Sequence, residues 1–288
     1  FTFSSKTIVE SAAVKLESNC KDGLVASSII KKQIKRSPKA PFRTASMITE
    51  ASRKLGLPPS QTMFLAGKLF RQGLISYHRT DSIEIDPSKL PDIHQKITAF
   101  YGEKYLEKRV FKNKKGAKNI QEAHGAIAPV DINITSDEIR SNTGDSDHDA
   151  QAKLYSMIWK RTIASQMKDA LFDRTSIEFS PSNNPSLALF AFSDQELVFE
   201  GYLKATKEEV RNNPAPKINE GQSVDFIKLI KEQHFTDPPP RYNDASMIKT
   251  LEEKGIGRPS TYAGILSRLV EREYIISKQK RYEPSDMG

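Results

Sequence analysis

The chain is expected to be a multidomain α+β protein, with two winged-helix-like helical units joined by a strand-rich domain. Three observations in its 288 residues predict this. A segment recurs 200 positions further on, helix-periodic residues fill most of 38–170, and alternating strand-like segments lie at the chain start and after residue 171.

In chain order, Phe1–Ser4 reads as a strand, Lys6–Glu17 as an amphipathic helix and Leu24–Ile34 as a second strand. The first copy of the repeat follows. Ala45-Ser46-Met47-Ile48 returns as Ala245-Ser246-Met247-Ile248, Pro59-Ser60 as Pro259-Ser260, and Lys54, Leu69 and Ile75 as Lys254, Leu269 and Ile275. These are nine identities between 45–77 and 245–277, against roughly two expected from average composition.

Each copy reads as one unit. Thr44 or Asp244 is placed to cap a first helix. A turn marked by glycine and proline follows, Gly56-Leu57-Pro58-Pro59 or Gly255-Ile256-Gly257-Arg258-Pro259. Ser60 or Ser260 then caps a second helix, and a strand closes the unit at Leu74–Tyr77 or Tyr274–Ser277. Helix-turn-helix plus strand is a winged-helix arrangement, frequent in DNA-binding proteins and also a common helical packing unit. Between the copies, Leu90–Arg109 and Asp149–Ala170 read as helices, the latter capped by Asp149. Thr175–Ser180, Leu187–Ser193, Glu196–Phe199 and Ser223–Ile230 alternate like strands, and Pro238-Pro239-Pro240 is a stiff connector.

Composition narrows the function. The net charge is +8, which suits a polyanionic partner. Cys20 is the only cysteine, so a disulfide framework and a cysteine-based metal cluster are excluded. No apolar run approaches the ~18 residues of a membrane span. The chain opens on Phe1 and stops just after a strand-like segment, so it is expected to be a piece of a longer protein.

Four segments carry possible chemistry. In Leu74-Ile75-Ser76-Tyr77-His78-Arg79-Thr80-Asp81-Ser82 a tyrosine precedes an arginine by two residues. In extended backbone both side chains project from one face. A phenol titrates near ~10 and needs an adjacent cation or base to become a nucleophile. Arg79 could bind a phosphate bidentately, with Thr80 and Ser82 as further hydroxyl donors. The alternative is an ordinary half-exposed tyrosine at a strand end. His124, among small residues in Ala123-His124-Gly125-Ala126-Ile127-Ala128-Pro129, could donate to phosphate or hold a turn. In Gly255–Tyr262, Arg258, Ser260 and Thr261 sit at a helix N-terminus, an anion site or a simple cap. Its spacing is not that of a nucleotide P-loop. Asp145-Ser146-Asp147-His148-Asp149 lacks the glycine and glutamate of a calcium loop and reads as solvated. The basic runs Lys31–Lys39 and Lys112–Lys118 are solvated faces, or salt-sensitive contacts to phosphate if the partner is a nucleic acid.

Together these segments resemble type IA DNA topoisomerases of bacteria, over essentially the whole chain. The resemblance rests on Pro41-Phe42-x-Thr44-x-Ser46 with Glu50-Ala51-Ser52, and on Ile75–Ser82. It rests also on Gln121-Glu122-Ala123-His124-x-Ala126-Ile127-x-Pro129, Leu154-Tyr155-x-x-Ile158-Trp159 with Ala164–Met167, and Gly255–Tyr262. It implies an ATP-independent isomerase in which Tyr77 attacks single-stranded DNA, forming a 5′-phosphotyrosine while a second strand passes through the gap. Negatively supercoiled duplex would be relaxed. Arg79 would stabilise the phosphate charge, and His124, Ser76, Thr80, Arg258, Ser260 and Thr261 would contact DNA.

The resemblance also implies a domain plan. Residues 1–37, 171–192 and 222–236 would form a strand-rich hinge, 38–170 a helical gate with the nucleophile, and 193–221 with 237–288 part of an arch. A monomer in the bacterial cytoplasm, at the nucleoid and away from membranes, is implied as well. Mg²⁺ would serve the full-length enzyme through an N-terminal Toprim domain that nothing here resembles, so this piece alone is expected to bind no metal and to cleave poorly. The departures from the family pattern are Ser76 for threonine, His78 for methionine, Gly125 and Ala128 for glutamate and arginine, and Arg71 for a carboxylate. The rival function is a non-catalytic winged-helix DNA-binding module in which Tyr77 only stacks or packs.

Overall fold

A computed structural model describes residues 14, 17–113, 124–141, 147–184, 190–230, 232 and 234–288. The expected strand Phe1–Ser4, most of the helix Lys6–Glu17 and most of the basic run 112–118 lie outside the described residues. Contacts divide the chain into two units, one of 1–37, 169–201 and 207–237, the other of 38–168, 202–206 and 238–288.

The first unit is an antiparallel sheet of β1 (Leu24–Arg36), β2 (Ala170–Pro181), β3 (Phe190–Phe199) and β4 (Ser223–Val224), in the order β3-β2-β1-β4. Alternation of β-branched and aromatic residues gives the sheet one apolar face. Leu24, Ala26, Ile177, Phe179 and Phe190 are buried there with Cys20. The register slips between Ala26 and Ser28, and Ile29 then stands opposite Ile177. β4 pairs only with Leu24 and Val25. Lys31, Lys32, Lys35 and Arg36, all exposed, occupy the stretch of β1 beyond that pairing, where charge discourages edge-to-edge association.

The second unit is mostly helical. It contains α1 (Thr44–Leu55), α2 (Pro59–Arg71), α3 (Leu90–Tyr101), α4 (Ser136–Ser141) and α5 (His148–Ser165). It continues with α6 (Asp244–Glu253), α7 (Tyr262–Glu271) and the hairpin β5 (Ile275–Lys278)–β6 (Arg281–Pro284). α1 ends on Gly56 at φ +67°, a left-handed position that glycine takes at least cost. Pro59 then opens α2 at a position where its missing N–H costs nothing. α1 buries two faces. Met47 and Ala51 join Phe42, Leu65, Leu69, Ile75, Ile127 and, from α5, Leu154, Tyr155 and Ile158. Ala45 and Ile48 join Ile248, Leu251, Tyr262 and Leu266. The repeated residues Ile48 and Ile248 thus meet in one core, and the two copies pack against each other.

Several expectations need correcting. The caps lie one residue away, at Arg43 and Asn243 rather than Thr44 and Asp244. Asn243 Oδ1 accepts from Ser246 N–H at 2.8 Å while Ser246 Oγ accepts from Asn243 N–H at 2.8 Å, a full capping box. α2 starts at Pro59, not at a Ser60 cap, and α7 starts after Thr261 rather than Ser260. The helix expected over Leu90–Arg109 stops at Gly102 (φ +95°). That expected over Asp149–Ala170 follows Asp147 and ends at Ser165, because Ala170 already pairs with Arg36.

Of the strands expected at Leu187–Ser193 and Glu196–Phe199, residues 187–189 lie outside the described residues, and the rest is the single strand β3, paired with β2 along its length. Residues 193–199 therefore lie in the sheet. Ser223–Ile230 is a strand only over its first two residues. Leu74–Tyr77 is not a regular strand. It makes an isolated bridge, Ile75 opposite Pro129.

Candidate active site and nucleic-acid interface

The bridge that replaces a regular strand in the first copy builds the site. Ser76 N–H donates to the Ala128 carbonyl at 2.8 Å and Val130 N–H to the Leu74 carbonyl at 3.0 Å. The Ser76 hydroxyl donates to the Ala126 carbonyl (2.8 Å) and accepts from Ala128 N–H (3.0 Å). Residues 74–76 and 126–130 are thereby stitched together. The stitch brings His124 to Tyr77, with ring centroids 4.7 Å apart at 48°. Phe70, from the end of α2, meets Tyr77 edge to face at 5.3 Å.

Tyr77 is half-buried, and its hydroxyl has no hydrogen-bond partner among the described residues. Arg79 and His124 are exposed, and Arg79 makes no ion pair among the described residues. Tyr77 is thus held by its ring with its oxygen unspent, and Arg79, two residues on, is an exposed guanidinium whose charge reaches the neighbouring His78.

Thr44, read from the sequence as a helix cap, has a different role. Fully buried, it directs its hydroxyl at the carbonyls of His78 (2.8 Å) and Thr80 (3.0 Å) and accepts from Thr80 N–H at 2.9 Å. Its own N–H donates to the Thr80 carbonyl at 2.9 Å. The backbone on both sides of Arg79 is therefore pinned to the start of α1. No local signal marks this, since the contact spans more than 30 residues.

Thr80 and Ser82 differ from expectation. Each is 3% exposed. The Thr80 hydroxyl accepts from Ser82 N–H at 3.1 Å and that of Ser82 from Glu84 N–H at 3.2 Å. Ser76 likewise spends its hydroxyl on backbone. All three hydroxyls are engaged by the backbone around them, Ser76 as donor and acceptor, Thr80 and Ser82 as acceptors, and so shape the segment.

Two family departures have a visible setting. A Cβ at Gly125 would come within 3.1 Å of the Glu84 carbonyl oxygen, to which Ala126 N–H already donates at 2.7 Å, and Ala128 is buried.

In the second copy, Thr261 Oγ1 accepts from Arg258 N–H at 2.8 Å, closing the turn before α7. Gly257 sits there at φ +80°, a left-handed position that glycine takes at least cost. Arg258 donates to the Gly257 carbonyl at 2.7 Å, and Ser260 is exposed. Arg43 of the first copy and Glu252 of the second pair at 2.7 Å. Burial raises the Tyr262 phenol pKa, with Glu252, Arg258, Arg43 and Asp81 all acting on it. The end of the tyrosine segment and the turn of the second copy therefore share one electrostatic neighbourhood.

No group of three or more His, Cys, Asp or Glu among the described residues could hold a metal ion. Asp147 is paired with Lys68, and Asp149 with Lys153 and Arg140. Asp145 and Ser146 lie outside the described residues. Among the described residues the donor set does not fit a divalent metal.

The site combines a repeated helix-turn-helix unit, a tyrosine with an unspent hydroxyl and flanking exposed cations. The comparisons with known proteins are specific. The DNA topoisomerase family model matches residues 2–288, and the chain belongs to that family. It is 41% identical over 276 residues to DNA topoisomerase 1 of Rickettsia felis, covering 90% of this chain and 34% of that protein. It is 35% identical over 298 residues to DNA topoisomerase 1 of Zymomonas mobilis, covering 100% of this chain and 23% of that protein. The structure matches full-length topoisomerase I from Thermotoga maritima with a TM-score of 0.83 at 31% identity, over 98% of this chain and 46% of that one. The chain thus spans about a third of the Rickettsia relative's length.

Proposed function

We propose that this chain carries the nucleophile-bearing part of a type IA DNA topoisomerase. Tyr77 Oη attacks a phosphorus of single-stranded DNA. The new bond is Tyr77 O–P, the bond broken is P–O3′, and the phenol proton lost to solvent is matched by one gained at the departing 3′-oxygen. A 5′-phosphotyrosine results, and reversal of the step reseals the strand. One phosphoester replaces another, so no ATP is needed. Arg79 faces the charge that grows on the phosphate, and His124 lies where it can contact the same strand. The observation that carries this reading is the unspent Tyr77 hydroxyl, set by its ring between Phe70 and His124. Negatively supercoiled duplex is the proposed substrate of the complete enzyme. Any Mg²⁺ that supports cleavage draws ligands from outside the described residues.

The test is a chimera of the Rickettsia felis enzyme in which this chain replaces the matched segment. An active chimera should lose relaxation on Tyr77→Phe while still binding single-stranded DNA. Unchanged relaxation would remove Tyr77 from the reaction.

A further inference from the structure

At the end of α2 lies a cation that the reading above does not use. Gly67 and Arg71 are one helical turn apart on the same face. The position of a Cβ at Gly67 is 3.5 Å from Arg71 Nη1 and 3.7 Å from His78 Nε2. The guanidinium therefore lies back over the bare glycine beside the imidazole. His78 is 7% exposed, and its Nδ1 is buried with no hydrogen-bond partner. Its ring is 5.6 Å from that of Tyr77 and 5.7 Å from that of Phe70, so the three rings form one packed cluster.

Arg71 is exposed and, like Arg79, has no ion pair among the described residues. Desolvation, then the charge of Arg79, then that of Arg71, hold the His78 imidazole down at about 4. Two uncompensated guanidiniums thus press on one neutral imidazole next to the tyrosine. Such crowding is unfavourable until an anion enters, and a guanidinium takes a phosphate through paired N–H bonds.

We propose that Arg71 is a second phosphate-binding residue of the tyrosine site, taking a phosphodiester of single-stranded DNA neighbouring the one Tyr77 attacks, with the buried His78 ring as the wedge beside it. The proposal rests on the functional reading above and deepens it. A purely structural role for Arg71 also exists, as a cation favouring the C-terminal end of α2. The two roles differ in salt dependence.

The experiment measures binding of a fluorescein-labelled single-stranded oligonucleotide to the chain by anisotropy over a range of KCl, alongside thermal midpoints. Loss of one phosphate contact lowers the slope of log K against log salt by about 0.7 for single strands. Arg71→Gln should show that drop, with about tenfold weaker binding at low salt and a midpoint that is not lowered. Arg71→Lys should keep the slope. Unaltered slope and affinity in Arg71→Gln, with or without a lowered midpoint, would overturn the inference and leave the proposed function standing. Absence of salt-dependent binding by the unsubstituted chain would overturn both.

Discussion

The two copies of the repeat start from the same helices and finish differently. In the second, the chain after α7 turns back on itself, and β5 pairs with β6 as a hairpin. In the first, the corresponding segment after α2 finds its partner some 50 residues away, where Ser76 is bonded to Ala126 and Ala128. A local hairpin yields a self-contained module. A borrowed strand brings a distant side chain, His124, to the ring of Tyr77. The counterparts of Tyr77 and His78 are Ser277 and Lys278, both exposed. The chemistry thus follows the change of partner and not the helices the copies share.

What the copies share should give the largest stability effect. Ile48 and Ile248 are both fully buried in the core between them. Alanine at either is expected to cost about 3 kcal/mol, measured by urea denaturation. A loss under 1 kcal/mol at both would mean the copies do not pack on each other.

Position 78 should distinguish the copies next. The imidazole of His78 is held at about 4 against an ordinary value of 6.5. Between those values the unfolded chain binds a proton that the folded chain refuses. Stability therefore falls as pH drops from 6.5 to about 4, by up to about 3 kcal/mol, and is unaffected by this group above 6.5. His78→Met should flatten that part of the stability-pH curve, and an unflattened curve would place the titration elsewhere.

Thr44→Val should cost about 2 kcal/mol by leaving the His78 and Thr80 carbonyls and the Thr80 N–H short of a partner, whereas Thr44→Ser should recover most of it. Equal losses would point to packing alone. The smallest effect belongs to the hairpin. Lys278 pairs with Glu283 at 3.0 Å on the surface, and Lys278→Ala should change stability by no more than about 0.5 kcal/mol.

The comparison also explains what the sequence disclosed. Helix existence was legible from the Leu65/Leu69 and Ile265/Leu269 spacing, and turns from Gly56 and Pro59, because these signals are local. Caps were misplaced by one residue because Thr44 and Asp244 are themselves good cap formers. Thr44 is committed to a tertiary contact instead, and Asp244 accepts from the Tyr282 hydroxyl. The strand-like end of the first copy looked like that of the second, since Leu74–Tyr77 has the same alternation. Only its distant partner makes it different. Tyr77 and Arg79 were legible as a pair two residues apart. The burial of Thr80, Ser82 and His78 was not, as it depends on contacts outside the segment: Thr44 of α1 binds Thr80, Asn113 reaches Ser82, and Phe70 of α2 packs on His78.

The central claim is that the Tyr77 oxygen takes a DNA phosphorus. The direct measurement uses the active chimera with a single-stranded oligonucleotide, stopped with denaturant and digested, with the nucleotide-bearing peptide sequenced by mass spectrometry. The account predicts a 5′-phosphate on Tyr77 and no adduct after Tyr77→Phe. An adduct on any other residue, or one that survives that substitution, would contradict it.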